Sequence, residues 1–139
     1  MKPKLQLPLV SGLAICACIL AAIPVAVPAF AQSEAVPMVG NLAKGEWTVR
    51  YRDGTPDLRV CLRTGRELIQ LRHRRSDCSR FVVEEAVNRV TVQYTCPGNG
   101  YGRTNIRRET NDLVQIESQG IAAGQPFQFA AEARRTGRC

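Results

Sequence analysis

Residues that carry catalysis are scarce in this 139-residue sequence. His73 is its single histidine, and no serine or cysteine nucleophile can be assigned to it. The absence of a Cys-x-x-Cys pair argues against thiol redox catalysis. The glycines form no phosphate-cradling pattern. Glu84 and Glu85 are adjacent, so they would point to opposite faces of a strand rather than form an acid–base pair. We therefore expect a protein that is not an enzyme and that holds no cofactor.

One long apolar run is present, and it lies at the N-terminus. Two lysines precede it, and Ala29-Phe30-Ala31 closes it as a small-x-small cleavage site. We predict a signal peptide over residues 1–31, cleaved after Ala31, and a periplasmic or secreted protein. A lipoprotein box ending at Cys18 fits less well. After cleavage we expect no integral membrane protein, because the run would make a poor spanning helix with its prolines Pro8, Pro24 and Pro28.

Lysine is also rare. Removing residues 1–31 leaves 17 of the 19 basic residues against 12 acidic ones, a net charge of +5, and only Lys44 among the 17 is lysine. Solvated arginines scattered among the acids are the simplest interpretation. The alternative is an anion-binding patch. Nucleic acid is not an expected partner outside the cytoplasm. The candidate patch residues are Arg72, Arg74, Arg75, Arg103, Arg107 and Arg108.

The remaining chain divides into a flexible lead-in over residues 32–44, which has no periodicity, and a single domain over residues 45–139. Alternation of apolar and polar residues runs through the domain and is typical of half-buried antiparallel strands. Turn signals separate the strands, and a loop is predicted from Gly120 to Pro126. We predict a mainly β fold: an antiparallel meander of about seven strands, curled into a barrel or half-barrel.

One short helix is predicted near residues 65–75. Thr64 and Glu67 have the spacing of a capping box, and a short apolar stripe follows them. Arg72 to Arg75 would lie in the last turn, where cations oppose the helix dipole. His73 is expected there as a solvated residue.

Four cysteines remain after signal cleavage, and they allow three pairings. Cys78 and Cys96 flank the best hairpin and are opposed about a turn near Val87, which favours a bridge between them. A register shifted by one residue, pairing Phe81 with Tyr94, would need a bulge in the first arm. Cys61–Cys139 follows by remainder. The spacings do not fit a zinc site, so no metal is expected.

A small apolar pocket is the alternative binding site that the composition offers. Its candidate ligand face consists of Trp47, Tyr51, Phe127 and Phe129, which could line a barrel interior. The simpler interpretation is that these aromatic side chains fill the core.

The chain resembles the exported Gram-negative proteins grouped as domain of unknown function 3617. The matching features run from Gly45 to Cys139: Gly45-x-Trp47, Val60-Cys61-Leu62, Cys78, Thr95-Cys96 and the terminal Arg135-Thr136-Gly137-Arg138-Cys139. Arg138 stands where members often have an acid, and arginines replace the Met and Thr usual in the middle strands. The resemblance implies a periplasmic, disulfide-containing β-domain and implies no activity.

Three functions compete on this sequence. A non-catalytic binding or envelope-associated module is favoured, because a disulfide-stapled domain without a catalytic constellation fits it. A carrier of a small apolar or lipid ligand is the first alternative. An enzyme inhibitor or an enzyme is the second.

Overall fold

The computed structural model describes residues 36–74 and 77–139. The predicted signal segment, residues 1–31, and Arg75 of the predicted patch lie outside the described residues. Two one-turn helices are present, α1 (Pro37–Gly40) and α2 (Arg66–Ile69). The strands are β1 (Gly45–Tyr51), β2 (Leu58–Leu62), β3 (Ser79–Ala86), β4 (Arg89–Cys96), β5 (Gly100–Thr110), β6 (Leu113–Ala122) and β7 (Gln125–Gly137).

All seven strands form one antiparallel sheet in the order β2-β1-β7-β6-β5-β4-β3. The mainly β prediction with about seven antiparallel strands is therefore confirmed. Strands β3 to β7 form the predicted meander, whereas the β1–β2 hairpin joins the sheet on the far side of β7. The sheet is open, with β2 and β3 as its edge strands, so it does not close into a full barrel.

One face of the sheet is apolar and buried, and the other is polar. On β5, Gly102 and the side chains of Thr104 and Ile106 are buried, while the side chains of Arg103 and Arg107 are exposed. This alternation is the two-residue period of a strand with one face against a core. The two helices and the segment after α2 supply the other side of that core: Val36, Val39, Leu42, Leu68, Ile69 and Leu71 are all buried.

Order begins earlier than the sequence analysis predicted. The lead-in was expected to be loose, but Val36, Val39 and Leu42 are buried with a helical spacing of three residues. The backbone N–H of Met38 also donates a hydrogen bond to Glu85 Oε1 at 2.9 Å. The segment is held because its apolar side chains cover the sheet and a carboxylate satisfies the start of α1.

The predicted helix near 65–75 is present but shorter, since α2 ends at Ile69. Its capping box is partly formed. The Glu67 carboxylate accepts hydrogen bonds from the N–H groups of Thr64 and Gly65, and Thr64 Oγ1 accepts one from Arg66. The prediction that His73 is solvated is wrong, because only 1% of it is exposed. The chain leaves the helix before His73 and turns inward over the sheet.

The predicted loop over Gly120 to Pro126 is also wrong. Strand β6 continues to Ala122 and β7 begins at Gln125, so only Ala123 and Gly124 remain as a turn. Both have positive φ, 48° and 77°, as a two-residue type I′ hairpin turn requires. Alanine seldom occupies that conformation, so the sequence indicated a longer loop here and not a two-residue turn.

Both favoured disulfides are present, Cys78–Cys96 and Cys61–Cys139. Phe81 pairs with Gln93, in the register that the first bridge implies, and an irregularity between Val82 and Glu84 shifts the register beyond it. The bulge in the first arm is therefore real, but Phe81 does not pair with Tyr94. Two disulfides indicate an oxidising compartment outside the cytoplasm.

Candidate functional site

The polar face of the sheet is concave and forms a groove of about 1280 Å³ across β4, β5, β6 and β7. We call it the arginine groove, because four arginine and only two acidic side chains line it. Polar amide side chains lie between the charges. The residues that define its charge are Arg52, Arg89, Arg103, Arg107, Asp53 and Glu117.

Two arginines of this groove face each other across strands. Arg89 on β4 is the direct cross-strand partner of Arg107 on β5. Like charges in that position are destabilising. Arg107 is relieved by an ion pair with Glu109 on its own strand. Arg89 and Arg103 form no ion pair or hydrogen bond with the residues that the structure describes.

The opposite side of the groove is fixed by side-chain hydrogen bonds. Arg52 Nη2 donates to Gln115 Oε1 at 2.7 Å, and Gln115 Nε2 donates to Glu132 Oε2 at 3.2 Å. Nearby, the backbone N–H of Thr55 bonds to the Asp53 carboxylate and lowers its pKa. Arg52 and Asp53 are held by other groups of the protein. Among the described residues, the groove cations without such a partner are therefore Arg89 on β4 and Arg103 on β5.

The structure does not bring the predicted anion patch together. Arg103 and Arg107 lie on the polar face, whereas Arg108 is on the other side of β5 and donates to the Val87 carbonyl oxygen. Arg72 packs against the rings of Tyr51 and Phe129 at 5.8 and 5.5 Å from their centroids, on the core side of the sheet. Arg74 is exposed in the same segment.

The predicted ligand face is packed into the core. Trp47 is fully buried and donates from Nε1 to the Ala43 carbonyl oxygen at 2.9 Å. Tyr51 packs edge-on against Phe129 with ring centroids 5.2 Å apart, and Phe127 stacks beside it. Burial raises the pKa of the Tyr51 hydroxyl. These side chains fill the interior, as the simpler interpretation of the sequence had it.

A buried polar cluster lies beneath the sheet. His73 Nε2 is 3.1 Å from the Asn99 carbonyl oxygen, which can only accept, so Nε2 donates this hydrogen bond. His73 Nδ1 forms a second hydrogen bond, with the Tyr94 hydroxyl 3.1 Å away. Burial raises the pKa of Tyr94 to about 12. Thr104 donates to the Ile69 carbonyl oxygen and continues the cluster. Every group is satisfied by the fold, which assigns the cluster a structural role.

Within residues 36–74 and 77–139, no group of histidine, cysteine and acidic side chains could hold a metal ion. In the same residues no helix has the length and apolar character needed to cross a membrane. Comparison of the chain with protein-family models, curated proteins and solved structures finds no match.

Sequence reasoning identified Arg103 and Arg107 but missed Arg89 and the amide side chains beside them. A signal for Arg89 was present. Pro97-Gly98-Asn99-Gly100 is a turn sequence. The turn between β4 and β5 fixes their register, and that register places Arg89 opposite Arg107.

Proposed function

We propose that this chain is an exported, non-catalytic module that binds an anionic ligand in the arginine groove. The observation that carries the proposal is the cross-strand pair of Arg89 and Arg107. Two cations held side by side on an open surface repel each other, and Glu109 offsets the charge of Arg107 only. An anion between the two guanidinium groups would make attractive contacts with both.

The chemistry of the groove supports an anion more than other ligands. A guanidinium presents a planar fork of donors that matches carboxylate, sulfate and phosphate oxygens. Arg89 and Arg103 make no bonds with described residues, so a ligand would not have to break internal contacts to reach them. Of the aromatic residues expected to hold an apolar ligand, Trp47, Tyr51 and Phe129 are buried in the core, and Phe127 packs against it partly buried.

Export is part of the same proposal. The residue pattern of 1–31 has the features of a cleaved signal, and the two disulfides suit an oxidising compartment. We infer a periplasmic location and membership of the domain of unknown function 3617 family. The order of the Trp47, Cys61, Cys78, Cys96 and Cys139 motifs supports that membership.

The test is a calorimetric titration of the exported chain with inorganic tripolyphosphate, carried out at two salt concentrations. We expect saturable binding that weakens as salt rises, because groove charges are partly screened by solvent ions. Replacing both Arg89→Gln and Arg107→Gln should weaken binding at least tenfold. That loss corresponds to about 1.4 kcal/mol.

Arg63→Gln is the matched control. Arg63 is exposed and lies outside the groove, so its loss changes net charge by one without touching the site. A control that carries both Arg63→Gln and Arg138→Gln loses the same two charges as the groove variant. If it loses as much affinity as that variant, net charge alone attracts the anion. That result would contradict the proposal.

A further inference from the structure

A single line of five side chains crosses the polar face at right angles to the strands. Gln128 on β7 pairs with Gln119 on β6, Gln119 pairs with Arg103 on β5, Arg103 pairs with Gln93 on β4, and Gln93 pairs with Phe81 on β3. We call it the Gln–Arg row. Four strand spacings of about 4.8 Å give it a length of about 19 Å.

All five side chains of the Gln–Arg row are exposed. None of its four polar members forms a hydrogen bond or ion pair with a residue in the described part of the chain. Phe81 is an apolar residue on the polar face of the sheet, and 66% of it is exposed. By contrast, the neighbouring Gln115 and Asn105 are both hydrogen-bonded to other side chains.

Arg103 joins two depressions. It lines the arginine groove and also a smaller depression of about 440 Å³ that Phe81, Val83 and Gln93 border. The row therefore runs from a polar surface at β7, through one cation, to an apolar ring at the β3 edge.

The three side-chain types of the row point to one ligand chemistry. A glutamine amide offers both a donor and an acceptor, and a hydroxyl group uses both. A ligand with acceptors only, such as inorganic phosphate, would leave the amide oxygens unmatched. Arg103 matches a carboxylate, and an exposed aromatic ring such as Phe81 provides an apolar plane for the C–H face of a sugar ring.

An acidic peptide fits this row less well. Peptides that bind sheets usually add a strand to an edge through backbone hydrogen bonds. Strands β4 to β7 are paired on both sides, so their backbone groups are already used in the ladders. Only side-chain groups are available across most of the row.

We propose that the Gln–Arg row is a binding site for an acidic oligosaccharide, with Arg103 on a carboxylate, the glutamines on hydroxyls and Phe81 under a sugar ring. This inference rests on the proposed function, because the row lies in the same polar face. It adds the class of ligand and the direction in which the ligand lies.

Binding of tetragalacturonate to the exported chain tests this inference. We expect saturable binding by calorimetry, weakened at least tenfold by Arg103→Gln and several-fold by Phe81→Ser. Both residues are exposed, so the variants should unfold at the same urea concentration as the parent chain. Arg63→Gln, which lies outside the row, should bind tetragalacturonate as the parent does.

Three further probes separate the outcomes. Fully methyl-esterified tetragalacturonate, the neutral counterpart, should bind at least tenfold more weakly, and equal affinity would overturn the role of Arg103. Tetra-aspartate should also bind more weakly, and equal affinity would overturn the sugar. If tripolyphosphate binds through Arg89 and Arg107 while tetragalacturonate does not depend on Arg103 or Phe81, this inference fails and the proposed function stands. If neither anion binds, both fail.

Discussion

The Cys61–Cys139 bridge should contribute an unusually large share of the stability of this domain. It joins β2 to the residues that follow β7, and β1 lies between those two strands. The bridge therefore clamps three strands at one edge of the sheet. Its sequence separation is 78 residues, against 18 for Cys78–Cys96.

The magnitude follows from loop closure in the unfolded chain. A cross-link over 78 residues is worth about 4.5 kcal/mol in the chain-entropy account, and one over 18 residues about 3 kcal/mol. Cys139 is exposed and Cys61 is only half-buried, so Cys61→Ser with Cys139→Ser removes little packing. We expect a loss of about 4 kcal/mol from an unfolding free energy that is typically about 5–15 kcal/mol.

Urea unfolding followed by fluorescence measures this loss. Trp47 is the only tryptophan and is fully buried, so its emission reports on the core. The dependence of unfolding free energy on urea should also rise, because an unfolded chain without the long cross-link exposes more surface. Replacing the other bridge with Cys78→Ala and Cys96→Ala should increase this urea dependence less. A loss below about 1 kcal/mol from the Cys61/Cys139 pair, with an unchanged urea dependence, would refute the reasoning.

Two further predictions concern the buried cluster. Gly102→Ala should lower the unfolding free energy by about 1–3 kcal/mol, because the added Cβ would lie 2.5 Å from Tyr94 Cζ. Gly137→Ala is the control: its Cβ would meet no atom within 4 Å, so it should be neutral in the same urea assay. Tyr94 holds its proton more tightly when folded, since burial raises its pKa from 10 to about 12. The stabilisation that results from this shift is fully present below pH 10 and is lost as the pH rises through 12. The free energy of unfolding should therefore fall by up to about 2.7 kcal/mol. Urea unfolding across that range should show the fall in the parent chain, and an identical fall in Tyr94→Phe would contradict the assignment.

The strand pattern of this fold could be predicted because each strand has one buried face. Val90, Val92 and Tyr94 are buried as their alternation with polar residues predicts, although Thr91 between them is buried as well. Burial of His73 could not be predicted in the same way. Its neighbours are arginines, and only the path of the chain after α2 carries it beneath the sheet.

The candidate site was harder to predict because its residues come from different strands and become neighbours only through the pairing register of those strands. Gln128 and Gln119 meet only through the turn at Ala123 and Gly124, which has no conventional turn residue at its first position. Arginines close in the sequence, such as Arg107 and Arg108, lie on opposite faces of one strand. The anion patch predicted from arginines close in the sequence is therefore divided between the two faces of the sheet.

The most direct test of the account is to map anion binding on the protein by backbone amide NMR during titration with tripolyphosphate. The account predicts that shifts concentrate on β4 and β5 around Arg89, Arg103 and Arg107. It also predicts that they disappear in the variant carrying Arg89→Gln and Arg107→Gln. Shifts centred on Arg72 and Arg74, on the core side of the sheet, would contradict the central claim.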